Sequence, residues 1–174
     1  MGVEVRNPAT LDFLRYLKPV CWNTPVTSAT YTAGRVYLQY IQIESPCKVH
    51  SVIFSNAATI AGNVTVGLYK EVTKDTPVGA TLVCTSADTA HAGANAAQEI
   101  AFTADTQVGA GSYYLAIELS DATATILRSY TNNYFVATPH YYDRAGGYGA
   151  LTDPVPAVTY YNTAQPGMVL KTTQ

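Results

Sequence analysis

The sequence predicts an all-β protein. The expected fold is an antiparallel β-sandwich, jelly-roll-like, with one short N-terminal helix and an irregular Tyr/Pro-rich C-terminal segment. Three observations predict it. Apolar and polar residues alternate with a period of two through most of the chain. The alternating runs are rich in Val, Ile, Thr, Tyr and Phe, and turn residues separate them. No long amphipathic helical stretch lies between the runs, which argues against a parallel α/β sheet.

The helix comes first. Asn7 supplies an N-cap and Pro8 suits the first helical position. Leu11, Leu14 and Leu17 follow at roughly helical spacing, and Pro19 stops the pattern. The expectation is one helix over residues 8–17, within an N-terminal arm covering residues 1–34. A single sandwich domain then fills residues 35–174.

Strands are expected at "RVYLQYIQI" (35–43), "KVHSVIFS" (48–55), "NVTVGLY" (63–69) and "ATLVCTS" (80–86). Others are "QEIAFT" (98–103), "SYYLAIEL" (112–119), "TILRSY" (125–130) and a short one in "GMVLK" (167–171). Alternation also assigns faces. Val64, Val66 and Leu68 share one side of their strand, and Thr65, Gly67 and Tyr69 share the other. Tyr113, Leu115, Ile117 and Leu119 lie together, opposite Tyr114, Ala116 and Glu118. The loop "KEVTKDTPVG" is charged and punctuated by Pro and Gly, so it is expected at the surface.

The pattern breaks over residues 131–166, a stretch too long for a bare connection. It holds Pro139, Pro154, Pro156 and Pro166, with Gly146, Gly147 and Gly149. It is read as an elaborated loop with short strands or as an arm laid over a neighbour. Its tyrosines could also cover the open end of the sandwich. Tyr134, Tyr141, Tyr142, Tyr148, Tyr160 and Tyr161, with Asp143, are the candidate interface or glycan contacts. Tyr offers a large rigid contact area with a polar tip.

Composition narrows the function. Charged residues make up only 13% and the net charge is -2. That leaves no basic footprint for nucleic acid. No apolar run is long enough for a membrane span. The charged start lacks the apolar core of a secretory leader, so a product made in the cytoplasm is expected. A surface poor in charge suits permanent packing against partners. The three cysteines, Cys21, Cys47 and Cys84, form neither a disulfide framework nor a zinc pattern. They are read as free thiols, with a Cys21–Cys47 bridge as the alternative.

The search for chemistry finds no nucleophile elbow, zinc-protease motif, phosphate loop or calcium loop. His50 falls mid-strand and reads as a structural imidazole. His140 and Asp143 could offer two metal ligands in one loop, and Ser129 would complete a triad, but spacing favours neither. The acidic residues sit mostly in turns or at strand ends rather than as a catalytic pair. The expectation is no enzyme, no cofactor and no metal.

The run from residue 35 to 128 carries a resemblance. Its features are "RVYLQYIQI", "KVHSVIFSNAATIAGNVTVGLYKE", "DTPVGATLVCTSA", "QEIAFT" and "GAGSYYLAIELSD". In this order they resemble a β-sandwich domain of bacteriophage virion proteins of decoration, head-fibre and tail-fibre type. "YGALTDPVPA" is also similar to phage structural sequence. The resemblance covers about half the chain and carries no catalytic residues. It implies a virion structural protein: a capsid, decoration or head-fibre subunit made in the host cytoplasm. The expected partners are copies of itself, with a trimer favoured, and other virion proteins. The alternative is a host-receptor or carbohydrate-binding module of a tail fibre. Its platform would be Tyr134, Tyr141, Tyr142 and Tyr148, with Trp22 as a further candidate and Asn132, Asn133 and Asp143 as hydrogen-bonding neighbours.

Overall fold

The computed structural model describes residues 27–129, 140–144, 147–160 and 165–173. The strands in chain order are β1 (Thr27–Thr30), β2 (Arg35–Ile43), β3 (Cys47–Ser55) and β4 (Asn63–Lys70). Next come β5 (Thr81–Thr85), β6 (Thr89–Ala90), β7 (Ala97–Val108), β8 (Gly111–Leu119) and β9 (Thr125–Ser129). The chain closes with β10 (His140–Asp143), β11 (Thr159–Tyr160), β12 (Gln165–Pro166) and β13 (Met168–Thr173). No helix occurs among the described residues. The helix expected over residues 8–17 lies outside them.

The pairings of these strands are antiparallel. A seven-stranded sheet has the order β11-β10-β2-β8-β4-β5, with β6 added to β4. Two three-stranded sheets, β13-β3-β7 and β1-β9-β12, make up the other layer. A bridge between Asn56 and Ile126 links those two, and one between Ser86 and Phe102 ties the end of β5 to β7.

The core between the layers follows from alternation. Val64, Val66 and Leu68 of β4 meet Tyr113, Leu115, Ile117 and Leu119 of β8 on the inner face. Val49, Val52 and Phe54 of β3, Ile100 and Phe102 of β7, and Met168 and Leu170 of β13 close over them. Each fully buried aliphatic or Phe side chain contributes on the order of 1.5–3 kcal/mol. One buried polar residue interrupts this core. Gln39 on β2 donates to the Met168 carbonyl at 3.2 Å and accepts from the Met168 N–H at 3.2 Å. Its amide thus stands in for a neighbouring strand and joins β13 to the large sheet.

Two boundaries differ from the sequence reading. Thr27–Thr30 belongs to the sandwich through its pairing with Thr125–Arg128, so the body begins earlier than residue 35. The run "ADTQV" extends β7 to Val108, which pairs with Cys47.

Candidate functional site

The described candidate tyrosines, Tyr141, Tyr142, Tyr148 and Tyr160, lie in β10 and in the chain that follows it. β10 lies beside β2, with His140 opposite Leu38, Tyr141 opposite Tyr37, Tyr142 opposite Val36 and Asp143 opposite Arg35. Strand alternation therefore sends Tyr141 and Asp143 one way and His140 and Tyr142 the other. On the first side Arg35 holds Asp143 through both carboxylate oxygens, Nε to Oδ1 at 2.6 Å and Nη2 to Oδ2 at 3.2 Å. The same guanidinium sits 3.9 Å above the Tyr141 ring. The Asp143 hydrogen bond pushes the Arg35 pKa up, so this cation stays charged. Behind it Tyr141 tilts against Tyr37 at 6.1 Å, and Tyr37 meets Tyr31 edge-on at 4.7 Å.

On the other side the chain from Gly147 to Val158 crosses the outer face of the large sheet as a strap. Leu151 and Val155 of the strap join Tyr142, Val36, Leu38, Tyr69, Ala80, Tyr114 and Ala116 in a second buried cluster. Gly67 is the seat for Leu151. A Cβ at Gly67 would lie 2.4 Å from Leu151 Cδ1. Backbone bonds fasten the far end, Val155 N–H to the Ala80 carbonyl and Gly79 N–H to the Val155 carbonyl, both at 2.9 Å. Asp153 accepts from the Leu82 N–H at 2.9 Å.

Two hydroxyls bind the middle of the strap. Tyr69 donates to the Thr152 carbonyl at 2.8 Å. Its oxygen is then left to accept from Tyr142, 3.1 Å away. Tyr142 in turn accepts from the Thr152 N–H at 3.3 Å. The three groups close a ring in which each donor has an acceptor. Burial raises the pKa of both phenols, so they remain neutral.

A buried carboxylate lies under the start of the strap. Glu118 of β8 is fully buried, opposite Val36 on one side and Thr65 on the other. Arg144 Nε donates to its Oε1 at 3.3 Å and the Gly149 N–H to its Oε2 at 3.4 Å. Burial raises the Glu118 pKa, and the hydrogen bond from Gly149 and the Arg144 charge offset only part of that rise. Nearby, Tyr148 donates to Asp88 Oδ1 at 2.5 Å and accepts from the Thr65 hydroxyl at 2.8 Å. Asn63 holds the second Asp88 oxygen at 2.8 Å.

A second charged group stands on the outer face of β13-β3-β7. His50 Nδ1 lies 2.6 Å from Asp105 Oδ1, and Lys48 lies 3.4 Å from the other oxygen. Lys171 contacts Glu99 at 2.9 Å and Ser51 donates to it at 2.7 Å. His50 hydrogen-bonding, then the Lys48 contact, holds the Asp105 carboxyl below its ordinary range. Burial works against the Glu99 carboxylate, but Lys171 and Ser51 outweigh it and lower its pKa.

The structure places Tyr141 and Asp143 on the same side of β10, Asp143 exposed and Tyr141 half-buried against the main core. It buries Tyr142 at 2% exposure, so that side chain serves the second core and cannot be a surface contact of this chain. Tyr148 is half-buried over Thr65. Tyr160 pairs with His140 through the backbone of β11. Tyr134 and Tyr161 lie outside the described residues. His140 and Asp143 fall on opposite sides of β10, so they do not form a shared metal or triad site. No cluster of three or more His, Cys, Asp or Glu able to hold a metal occurs among the described residues. Cys47 and Cys84 are free thiols, and burial pushes the Cys84 pKa up to about 12.

Arg35 and Arg144 were not singled out by sequence reasoning, and Gly67 and Glu118 were placed only on a face. A signal for Glu118 was present: it is the one acid in the otherwise apolar "YYLAIEL". Neither a protein-family model nor a curated protein matches the chain.

Proposed function

We propose that this chain is a virion structural protein, a capsid, decoration or head-fibre subunit that acts by packing against its own copies and neighbouring virion proteins. The observation that supports it most is how the polar groups of the strap are used. Glu118, Arg144, Tyr148, Asp88, Tyr69 and Tyr142 are engaged with one another or with backbone in holding residues 147–158 on the sheet. Groups that could have faced a substrate instead complete a wall. A chain with only 13% charged residues has little electrostatic repulsion to keep such walls apart.

The finer fold class we propose is a jelly-roll-like sandwich. Strand counts alone allow either a jelly roll or an Ig-like order. β2 beside β8 and β8 beside β4 in one sheet, with β3 beside β7 in the other layer, support the jelly-roll-like order, while the β4-β5 hairpin within one sheet is the feature it shares with the Ig-like one.

The test is density-gradient banding of particles from a culture of the virus that encodes the chain. The chain should band with the particles at constant stoichiometry through repeated purification. A chain that stays in the soluble fraction contradicts the reading. The competing reading, a glycan-binding module, draws on half-buried Tyr141 and exposed Asp143 sharing one side of β10. Arg35 already covers one face of that ring. Glycan-array binding abolished by Tyr141→Ala would favour it over packing.

A further inference from the structure

A buried histidine at one end of the sandwich has no part in the strap. His91 follows β6 and is 6% exposed. Its Nε2 lies 2.7 Å from Asn56 Oδ1. The amide orientation of Asn56 is fixed by its neighbours. Its Nδ2 faces the Ala92 carbonyl at 2.6 Å, the Gly93 carbonyl at 3.2 Å and Gln98 Oε1 at 3.1 Å, all acceptors. The atom facing His91 must therefore be the oxygen, which only accepts. His91 carries its proton on Nε2, and Nδ1 is the bare nitrogen. That Nδ1 is buried without a hydrogen-bond partner, against the Ala61 backbone.

This ring sits at the centre of a clasp. The His91 N–H bonds the Gly62 carbonyl at 3.0 Å, Asn95 N–H the Ala57 carbonyl at 2.9 Å, and Asn56 N–H the Ala96 carbonyl at 2.9 Å. Gln98 Oε1 also accepts from the Ala92 N–H at 3.0 Å. The ring itself tilts against Phe54 at 6.3 Å. Residues 91–96 are thus pinned beside the end of β3 by three backbone bonds, the neutral His91 imidazole and the carboxamides of Asn56 and Gln98.

We propose that His91 is an acid-sensitive clasp: neutral, it pins residues 91–96 to the end of β3, and taking up a proton at Nδ1 releases that segment. A cation in this place would be buried with no counter-ion. The acids closest by are committed elsewhere. Asp88 binds Asn63 and Tyr148, Glu99 binds Lys171, and Asp121, packed beside Gly62, binds Thr123. Burial lowers the His91 pKa below 6.5, against a smaller opposing effect of the Ala61 carbonyl. The open segment then binds the proton first. The clasp is fully closed above 6.5 and loosens as pH falls below it through the pKa of the closed state.

Hydrogen exchange on the intact chain tests this, at one pH above 6.5 and one well below. Protection factors at His91, Asn95 and Asn56 should fall several-fold on acidification, while those of Val66 and Leu115 hold. His91→Gln, which keeps a neutral donor toward Asn56, should abolish the selective loss. Equal protection at both pH values, or the same loss in His91→Gln, would overturn the proposal. Should that variant not fold, imidazole nitrogen shifts of the unaltered chain decide. The Nε2–H tautomer with a midpoint below 6.5 is expected, and an Nδ1–H tautomer or a midpoint at or above that value contradicts it.

Discussion

On the outer face of the large sheet, Leu151 and Val155 lie over Gly67 and Ala116, and a carboxylate is buried beneath Arg144. On the outer face of β13-β3-β7, Lys48, His50, Glu99, Asp105 and Lys171 stand partly in water. Both faces carry ion pairs, and their energetics differ by burial. Glu118 is 0% exposed and Arg144 17%, while Lys171 is 45% and Glu99 38% exposed. A buried charge that loses its partner costs far more than an exposed one, because water cannot replace the partner. The comparison teaches that the covered face is part of the fold, whereas the charges of the open face are solvated.

The largest effect should come from Arg144→Met. It strands Glu118 and should cost about 3 kcal/mol in urea unfolding. The matching Lys171→Met on the open face should cost under about 1 kcal/mol. Equal losses would erase the distinction between the faces. Gly67→Val comes next. The added carbons need the space of Leu151, which should destabilise by about 1–3 kcal/mol, while Ala101→Val on the open strand β7 should stay within about 0.5 kcal/mol. Tyr148→Phe removes the hydroxyl between Thr65 and Asp88 and should cost about 1–2 kcal/mol.

The smallest effect is also the most discriminating, because its sign differs between the faces. The Glu118 pKa is raised in the fold, so its folded form holds the proton longer than the unfolded chain. Its contribution is most favourable below 4.5 and declines as pH rises through the folded value. The Glu99 pKa is lowered, so its contribution is present above 4.5 and is lost as pH falls through the folded value. Urea midpoints measured against pH should show Glu118→Gln flattening the decline toward neutral pH. Glu99→Gln should flatten the loss toward acid. Slopes of the same sign would contradict the burial argument.

Much of the sandwich was legible in the sequence. Its strands alternate cleanly, and "RVYLQYIQI" coincides with β2 because one side must face the inner core and register follows from that. The inner faces of β4 and β8 were legible for the same reason. Tyr142 misled because a tyrosine in a Pro- and Gly-rich stretch resembles a surface contact, whereas its hydroxyl finds a buried partner on Tyr69. The strap was hidden because Pro154 and Pro156 break any period, so nothing local marks Leu151 and Val155 as buried. Gly67 carried half a signal. A glycine within a strand implies close approach by another group, but the group is Leu151, far along the chain. β1 was missed because "TSAT" is short and polar, and only its pairing with β9 makes it a strand.

The proposed function has this chain packing against copies of itself. Absolute mass by light scattering, over a wide concentration range, tests it most directly. One closed oligomer, a trimer, whose mass stays constant on dilution is expected. A mass equal to the single 18.6 kDa chain at every concentration would contradict it.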